Sequence, residues 1–389
     1  MSREKKLVPK MRFKEFEDSQ PWQNKDLGDM VNFYSGLTYS PSNIVEEPGT
    51  LVIRSSNVKN SEIVSADNVY VDSTIANSEN VQIGDIIVVV RNGSKHLIGK
   101  NAQVKTPMEN TVIGAFMTGI RSNTSKFINA LLDTNKFQIE IYKDLGATIN
   151  QITTGNLRKM KFNFPNEDEA NKIGTYFEEI DNLIISRRKK INKIKVLKSA
   201  YLSEMFPKEG EKYPKKRFEG FTEPWNEYNL GEVAQIKTGN TNVQDAVPNG
   251  KFTFFDRSTE IKRIDKYYYD EEAIIYPGEG SEFYPRYFNG KYALHQRAYS
   301  ITSDVVNLEY LSNMMLLRNN HFVNNAVGST VKSLRMENFT KCKIFVPSNE
   351  EQKKITKLFK YINLQILVEE EKLAKLEKLK QAYLNDMFV

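Results

Sequence analysis

Apolar side chains recur at three-four spacing through two stretches of this chain. In the first, Phe177, Ile180, Ile184, Ile191, Ile194, Tyr201 and Met205 form a seam broken only at Arg187 and Lys198. In the second, Phe359, Ile362, Ile366, Leu373, Leu376, Tyr383 and Met387 repeat it. That period predicts two long helices, over 167–206 and 349–389, each with one apolar stripe. A helix of about 40 residues reaches about 60 Å, longer than a small domain is wide, so pairing of the two helices is a better reading than one core-facing helix per domain. Over 23–145 and 226–327 the pattern changes to period-two runs punctuated by Gly and Asn, which predicts strands. The expected fold class is α+β.

The two seams are copies. Residues 146–206 align without a gap on 328–388, always 182 positions apart, so that AYLSEMF (200–206) falls on AYLNDMF (382–388) and Pro165 on Pro347. A second match opens each half: PKMRFKEFEDSQPW (9–22) resembles PKKRFEGFTEPW (214–225), each followed by Leu-Gly and then a further glycine, Gly36 or Gly239. Repeats of this kind mean one structural unit written in tandem. The boundaries read as 1–166 for the N-terminal segment and a first strand-rich domain, 167–206 for the central helix, 207–348 for the second strand-rich domain and 349–389 for the distal helix.

Charge suggests how the helices meet. RRKK (187–190) in the first stands where EEEK (369–372) stands in the second, so Arg187 and Arg188 are expected beside Glu369 and Glu370. Both a parallel and an antiparallel pair satisfy this. RFKEF (12–16) favours antiparallel: its copy RFEGF (217–221) follows helix one directly, so the N-terminal segment should dock after helix two and close the tandem repeat into a ring.

Between the repeated parts the two halves share only a thin skeleton. IRSSN (53–57) lies opposite FDRST (255–259), and IIVVVRNGS (86–94) opposite AIIYPGEGS (273–281). A buried strand running into a Gly-Ser loop presents a polar tip on a rigid scaffold. The tips carry chemistry suited to base edges, where Arg forks onto guanine, Asn and Gln onto adenine, and Ser or Thr onto either. In the first domain these are Arg54, Ser55, Ser56, Asn57, Arg91, Asn92, Ser94 and Lys95; in the second, Asn240, Asn242, Arg257, Ser258, Thr259, Ser281, Tyr284, Arg286, Gln296 and Arg297. Taken singly, each also reads as a solvated loop residue. Arg297, flanked by strand-like apolar positions, is the best placed, and Lys95, Lys100, Lys262 and Arg263 suit phosphates, which position without specifying.

Composition narrows the class. With 389 residues, two fifths of them hydrophobic, the chain has material for two cored domains. A net charge of +6 permits nucleic acid without requiring it. A single cysteine, Cys342, rules out an internal disulfide framework and fits a reducing compartment; with three histidines in the chain, an inert thiol is expected. No stretch has the apolar length of a membrane span, and the N-terminus lacks a signal-peptide core, so a cytoplasmic, membrane-free protein is expected. Enzymatic motifs are missing: there is no phosphate-binding GxxxxGK[ST] loop and no HExxH, Pro285 follows PGEGSEF (277–283) too soon for a nucleotide-binding helix, and the three histidines lack metal-ligand spacing. Glu260-Ile261-Lys262 could end a nuclease triplet, but no partner carboxylate is placed for it.

The order of variable segment, repeated helix, variable segment, repeated helix resembles the specificity subunit of type I restriction-modification systems. The A-Y-L-x-x-M-F endings, the P-K-x-R-F-x-x-F openings with their tryptophans, and the Pro347–Ile355 helix start carry that resemblance over essentially the whole chain. It implies two pseudo-symmetric target-recognition domains separated by an antiparallel coiled-coil pair in a circular tandem repeat. It also implies no catalysis by this chain, double-stranded DNA as ligand, two methyltransferase subunits docked on the helices, and motor-nuclease subunits joining the complex. S-adenosylmethionine, ATP and magnesium would belong to those partners. Ala170 stands where the second copy has Gln352, so that glutamine is not expected to be essential. Two other classes stay open: a coiled-coil adaptor that never touches DNA, and a stand-alone nuclease or methyltransferase.

Overall fold

The computed structural model describes residues 7–145 and 150–389. The first six residues of the N-terminal segment and positions 146–149, where the repeat match begins, lie outside the described residues. The chain forms two compact units, one of residues 1–188 with 371–389 and one of residues 189–370. The helices Glu167–Met205 and Asn349–Met387 each give part of their length to each unit.

In the first unit, strand Gln23–Asp26 pairs antiparallel with Lys161–Phe164. A four-stranded sheet runs in the order Asn32–Ser35, Met117–Arg121, Ile86–Val89, Asn101–Gln103, and a second is built on the parallel pair Thr50–Ile53 and Thr111–Ile113. Strand Ile86–Val89 is buried at every position, which explains its unbroken apolar run. Ile86 and Val88 face a helical layer with Phe127, Leu131 and Phe137, while Ile87 and Val89 face Tyr34, Ile53 and Ile113.

The second unit repeats this plan with one change. Its sheet has six strands in the order Gln235–Thr238, Ala298–Thr302, Tyr269–Pro277, Arg286–Leu294, Phe252–Phe255, Ile261–Ile264. Arg286–Leu294 is one continuous strand that pairs antiparallel with Tyr269–Pro277 and parallel with Phe252–Phe255, the tasks divided in the first unit between Asn101–Gln103 and Thr111–Ile113. Hence one sheet stands where the first unit has two.

The pairing registers correct the sequence alignment by one residue. Ile86 pairs with Ile120, and Ile274 pairs with Ile301; Ile86 therefore corresponds to Ile274 rather than Ala273. A one-residue slip turns every side chain to the other face, and a uniformly apolar run such as IIVVV gives no alternation from which to set the register.

The repeated motifs pack the ends of each unit. Trp22 meets Phe388 edge-on at 6.0 Å, and Trp225 meets Phe206 at the same distance and angle. The backbone N–H of Met11 donates to Asp386 O at 2.9 Å, and that of Lys216 to Glu204 O at 2.8 Å. The N-terminal segment thus docks on the end of the second long helix as its copy docks on the first. Arg12 forks onto Glu169 at 2.7 and 2.7 Å, and Arg217 onto Glu351 at 2.8 and 2.8 Å, with both carboxylates buried. Glu351 also accepts from Trp225 Nε1 at 3.2 Å. Replacing a carboxylate hydrogen-bonded to a charged partner leaves donors unmet, so Glu351→Gln should cost about 1–2 kcal/mol of second-unit stability. Urea denaturation followed by Trp225 fluorescence measures this, and an unshifted midpoint would mean the staple is slack.

The helices run antiparallel within each unit. In the first, Phe177, Ile180 and Ile184 are buried and Leu373, Leu376 and Tyr383 are packed against the same core, with Tyr176 and Tyr383 rings 5.5 Å apart. In the second, Ile191 and Phe359 are buried, and Ile362 with Ile194, Tyr201 and Ile366 joins one cluster. Of the residues expected to meet, Arg188 and Glu370 take other partners. Glu369 takes Lys190 at 3.0 Å, Glu370 takes Lys195 at 2.6 Å, and Arg188 takes Glu377 at 2.6 Å.

Candidate nucleic-acid interface

In the first unit, several of the expected residues gather at one end of the strand Ile86–Val89. Asn92 Nδ2 donates to Ser55 Oγ at 3.1 Å, joining the loop after strand Thr50–Ile53 to the loop after Ile86–Val89. Arg54, Ser55 and Ser56 line one hollow with Leu37, Tyr39 and Phe116. Arg54 is half-buried, with one Nη donating to Asp67 O and its Nε buried without a partner. Ser56, Arg91, Ser94 and Lys95 are exposed, and Asn92 Oδ1 accepts from the Ser94 N–H at 3.0 Å. Asn57 is a correction. It is 2% exposed, and its amide donates to Ala66 O at 2.7 Å and Asn68 Oδ1 at 3.1 Å, so it fastens the 57–68 loop from inside and has no face left for a base.

In the second unit, Glu279 gathers two of the expected arginines, Arg297 at 2.6 Å and Arg257 at 3.4 Å. Gln296 and Arg297 stand exposed on a turn, while the preceding His295 is buried. Burial holds His295 below the ordinary imidazole range, with Asp256 opposing. It is therefore neutral at pH 7, and its Nδ1 accepts the Arg297 N–H at 3.0 Å, fixing the turn. Arg286 donates to Thr259 O at 3.0 Å and shares a small hollow with Ser258, Thr259 and Tyr284. Ser281 and Asn240 are exposed, and the Asn242 N–H is occupied by Asp245 at 2.8 Å. Lys262 pairs with Asp256 at 3.0 Å and Arg263 donates to Gly250 O at 2.9 Å. Lys100 is half-buried, its ammonium pulled below the ordinary range by burial and then by Lys59.

The two tips are the same turn. The parallel ladder ends at Ile113 opposite Ile53 in one unit and at Leu294 opposite Phe255 in the other. Gly114 then bridges Leu37, and His295 bridges Thr241. The turns close identically, Met117 N–H on Gly114 O at 2.9 Å and Ala298 N–H on His295 O at 3.0 Å. Gly114-Ala115-Phe116 and His295-Gln296-Arg297 are therefore counterparts. Phe116 and Glu279 also stand at these tips, though neither is among the residues expected from polar type. The signal was present, because the repeat offset carried back to GAF (114–116) places it on HQR (295–297) to within one residue.

Among the described residues, no group of three or more His, Cys, Asp or Glu side chains is arranged to hold a metal, and no helix is long and apolar enough to cross a membrane. The Cys342 thiol is pushed up to about 12 by burial, too high for a nucleophile at neutral pH.

A sequence model of the type I restriction modification DNA specificity domain matches residues 19–196 and again 222–378. The chain belongs to that family. Within it, the specificity subunit of the type I restriction enzyme EcoDI of Escherichia coli is 29% identical over 159 residues, which cover 40% of this chain and 34% of that protein. The StySPI specificity subunit of Salmonella potsdam is 24% identical over 175 residues, 41% of this chain and 37% of that one. The matched region thus spans about a third of the length of these curated relatives. Among solved structures, the S subunit of a type I restriction-modification system from M. genitalium superposes with a TM-score of 0.67 at 14% identity, over 98% of this chain and 99% of that one. A chain from a structural study of complex assembly and conformational transition in the type I R-M system gives 0.50 at 16% identity, over 94% and 96%. At such identities the likeness is one of fold, here the α+β specificity-subunit fold.

Proposed function

We propose that this protein is the non-catalytic specificity subunit of a type I restriction-modification complex, reading a split DNA site with one unit per half-site. The observation that carries the proposal is the shared turn: one scaffold, fixed by the same ladder and the same closing hydrogen bond, ends in different exposed side chains in the two units. Two rigid frames with different tips suit two different sequences. In the second unit the Arg297 guanidinium, paired with Glu279 in the absence of DNA, would exchange that carboxylate for guanine O6 and N7. Lys95 and Lys100 suit phosphates. The antiparallel helix pair would supply the docking surface for two methyltransferase subunits, to which motor-nuclease subunits join. S-adenosylmethionine, ATP and magnesium then belong to those partners, and the complex works on DNA in the cytoplasm.

Arg54→Ala and Arg297→Ala test the division of labour. Each should relax one half-site and leave the other intact, at a cost of about 1–3 kcal/mol for a lost base contact. Methylome sequencing of cells carrying each variant reads the modified motif directly. Degradation of the same half-site by both substitutions would overturn the two-reader proposal.

A further inference from the structure

Phe116 stands where Arg297 stands, and each has a charged companion at an equivalent place. In the first unit, the N–H groups of Val90 and Arg91 donate to Phe116 O at 3.0 and 3.2 Å, and the Arg91 guanidinium lies 4.8 Å over the Phe116 ring. Val89 pairs with Met117 as Pro277 pairs with Ala298, so Arg91 corresponds to Glu279. There the companion is an anion on a cation, at 2.6 Å. The two tips thus carry complementary but opposite chemistry on one backbone.

Phe116 is 52% exposed on a turn fixed at both ends, beside a hollow of about 510 Å³ lined by Leu37, Tyr39, Ile44 and Arg54. Leaving a phenyl ring half in water works against folding, and Phe116 belongs to none of the first unit's buried hydrophobic clusters. Only one of the four bases shows an apolar group in the major groove, the thymine 5-methyl. Arg91, stacked on the ring, keeps a cation beside that contact. We propose that Phe116 is a specificity-determining residue of the first unit, packing on a thymine methyl at the half-site position that corresponds to the one Arg297 reads in the other half-site. The inference rests on the two-reader proposal and deepens it.

The test uses the assembled complex of this chain with its methyltransferase partners and a duplex carrying the motif found by methylome sequencing. Each thymine is replaced in turn by deoxyuridine, which lacks only the methyl. At one position in the first unit's half-site the replacement should weaken binding by about fourfold, equivalent to ~0.8 kcal/mol for one methyl-sized group. Phe116→Ala should bind thymine and uracil duplexes equally at that position while keeping the remaining bases of the motif. Phe116→Leu, which restores an apolar tip, should recover part of the preference. No uracil effect in that half-site, or an equal effect in wild type and Phe116→Ala, overturns the inference, including the case in which the ring acts as a wedge between base pairs. If Phe116→Ala changes nothing while Arg297→Ala relaxes the other half-site, the inference fails and the two-reader proposal stands. If Phe116→Ala and Arg297→Ala degrade one and the same half-site, both fail.

Discussion

Lys380→Met should lower the stability of the first unit by about 3–5 kcal/mol at pH 7 to 8, the usual cost of removing one partner from a buried ionic group. Lys380 is 9% exposed in its side chain and its ammonium bonds both Asp133 and Asp181. Asp133 caps a short helix of the strand-rich domain, Asp181 lies on the first long helix and Lys380 on the second. One ammonium therefore ties three segments, and without it the buried Asp181 and the half-buried Asp133 lose their shared cation. Burial would lower the Lys380 value, but Asp133 and Asp181 outweigh it and raise the group above the ordinary lysine range. Its contribution is therefore fully present at neutral pH and is lost only as pH rises through that raised value. Asp181 is raised by burial, Lys380 opposing; the folded state holds this proton more tightly than the unfolded chain, so the group favours folding as pH falls. In Lys380→Met that opposition is gone, and the gap to wild type should narrow between pH 8 and pH 5. Urea titrations at both values, in a Trp225→Phe background where Trp22 alone reports, measure it. Lys198, the copy of Lys380, has Asn363 where Asp181's copy falls and is held below the ordinary lysine range by burial alone. Lys198→Met should therefore be close to neutral, and an equal loss in both variants would mean that packing of the stem, not the ion triad, dominates.

Gly239→Ala should abolish reading by the second unit without touching the first. A Cβ at Gly239 would sit 1.6 Å from Leu294 O and 2.2 Å from its carbonyl carbon. At Gly36 it would sit 2.0 Å from Gly114 O. Both neighbours are backbone, so relief requires moving the turn that carries Arg297 or Phe116. Overpacking of this kind costs about 1–3 kcal/mol, occasionally more, and the displaced turn also forfeits its base contact. The motif modified in cells carrying Gly239→Ala should lose one half-site, and Gly36→Ala should lose the other. Gly155→Ala, which meets only Thr153 Oγ1 at 3.6 Å, serves as the tolerated control. A full motif in the Gly239→Ala strain would show that the turn is softer than its packing implies.

What the sequence made legible was whatever recurs. The helix seams, the twin tryptophans and the docking of RFKEF and RFEGF all follow from a fixed offset of 182 or a like match, because a repeated residue must serve a repeated contact. The partners of Arg188 and Glu370 escaped, since long charged side chains on facing helices can reach neighbours a turn away. The strand register escaped by one residue for want of alternation. At the tips, residue type misled in two directions. Asn57 has the chemistry of a base reader but is spent inside its own loop. Phe116 has the chemistry of a core residue but stands in water, and the partner-by-partner ladder sets it opposite Arg297 where the repeat offset comes only to within one residue.

The interleaved helices also set an order of events during synthesis. The second unit is continuous in sequence, and its core, from Met205 and Phe206 to Phe359 and Ile362, is complete within residues 189–370. The first unit is not: its core includes Leu384, Met387 and Phe388, and Val389 O accepts from Lys136 and Asn163 at 2.9 and 2.9 Å. The domain translated first is therefore the one that closes last. Until the residues that end the second long helix and Phe388 after it leave the ribosome, Trp22, Phe127 and Phe177 lack their contact with the Phe388 ring. A nascent chain stalled in that window would offer chaperones and proteases an open first unit beside a finished second one.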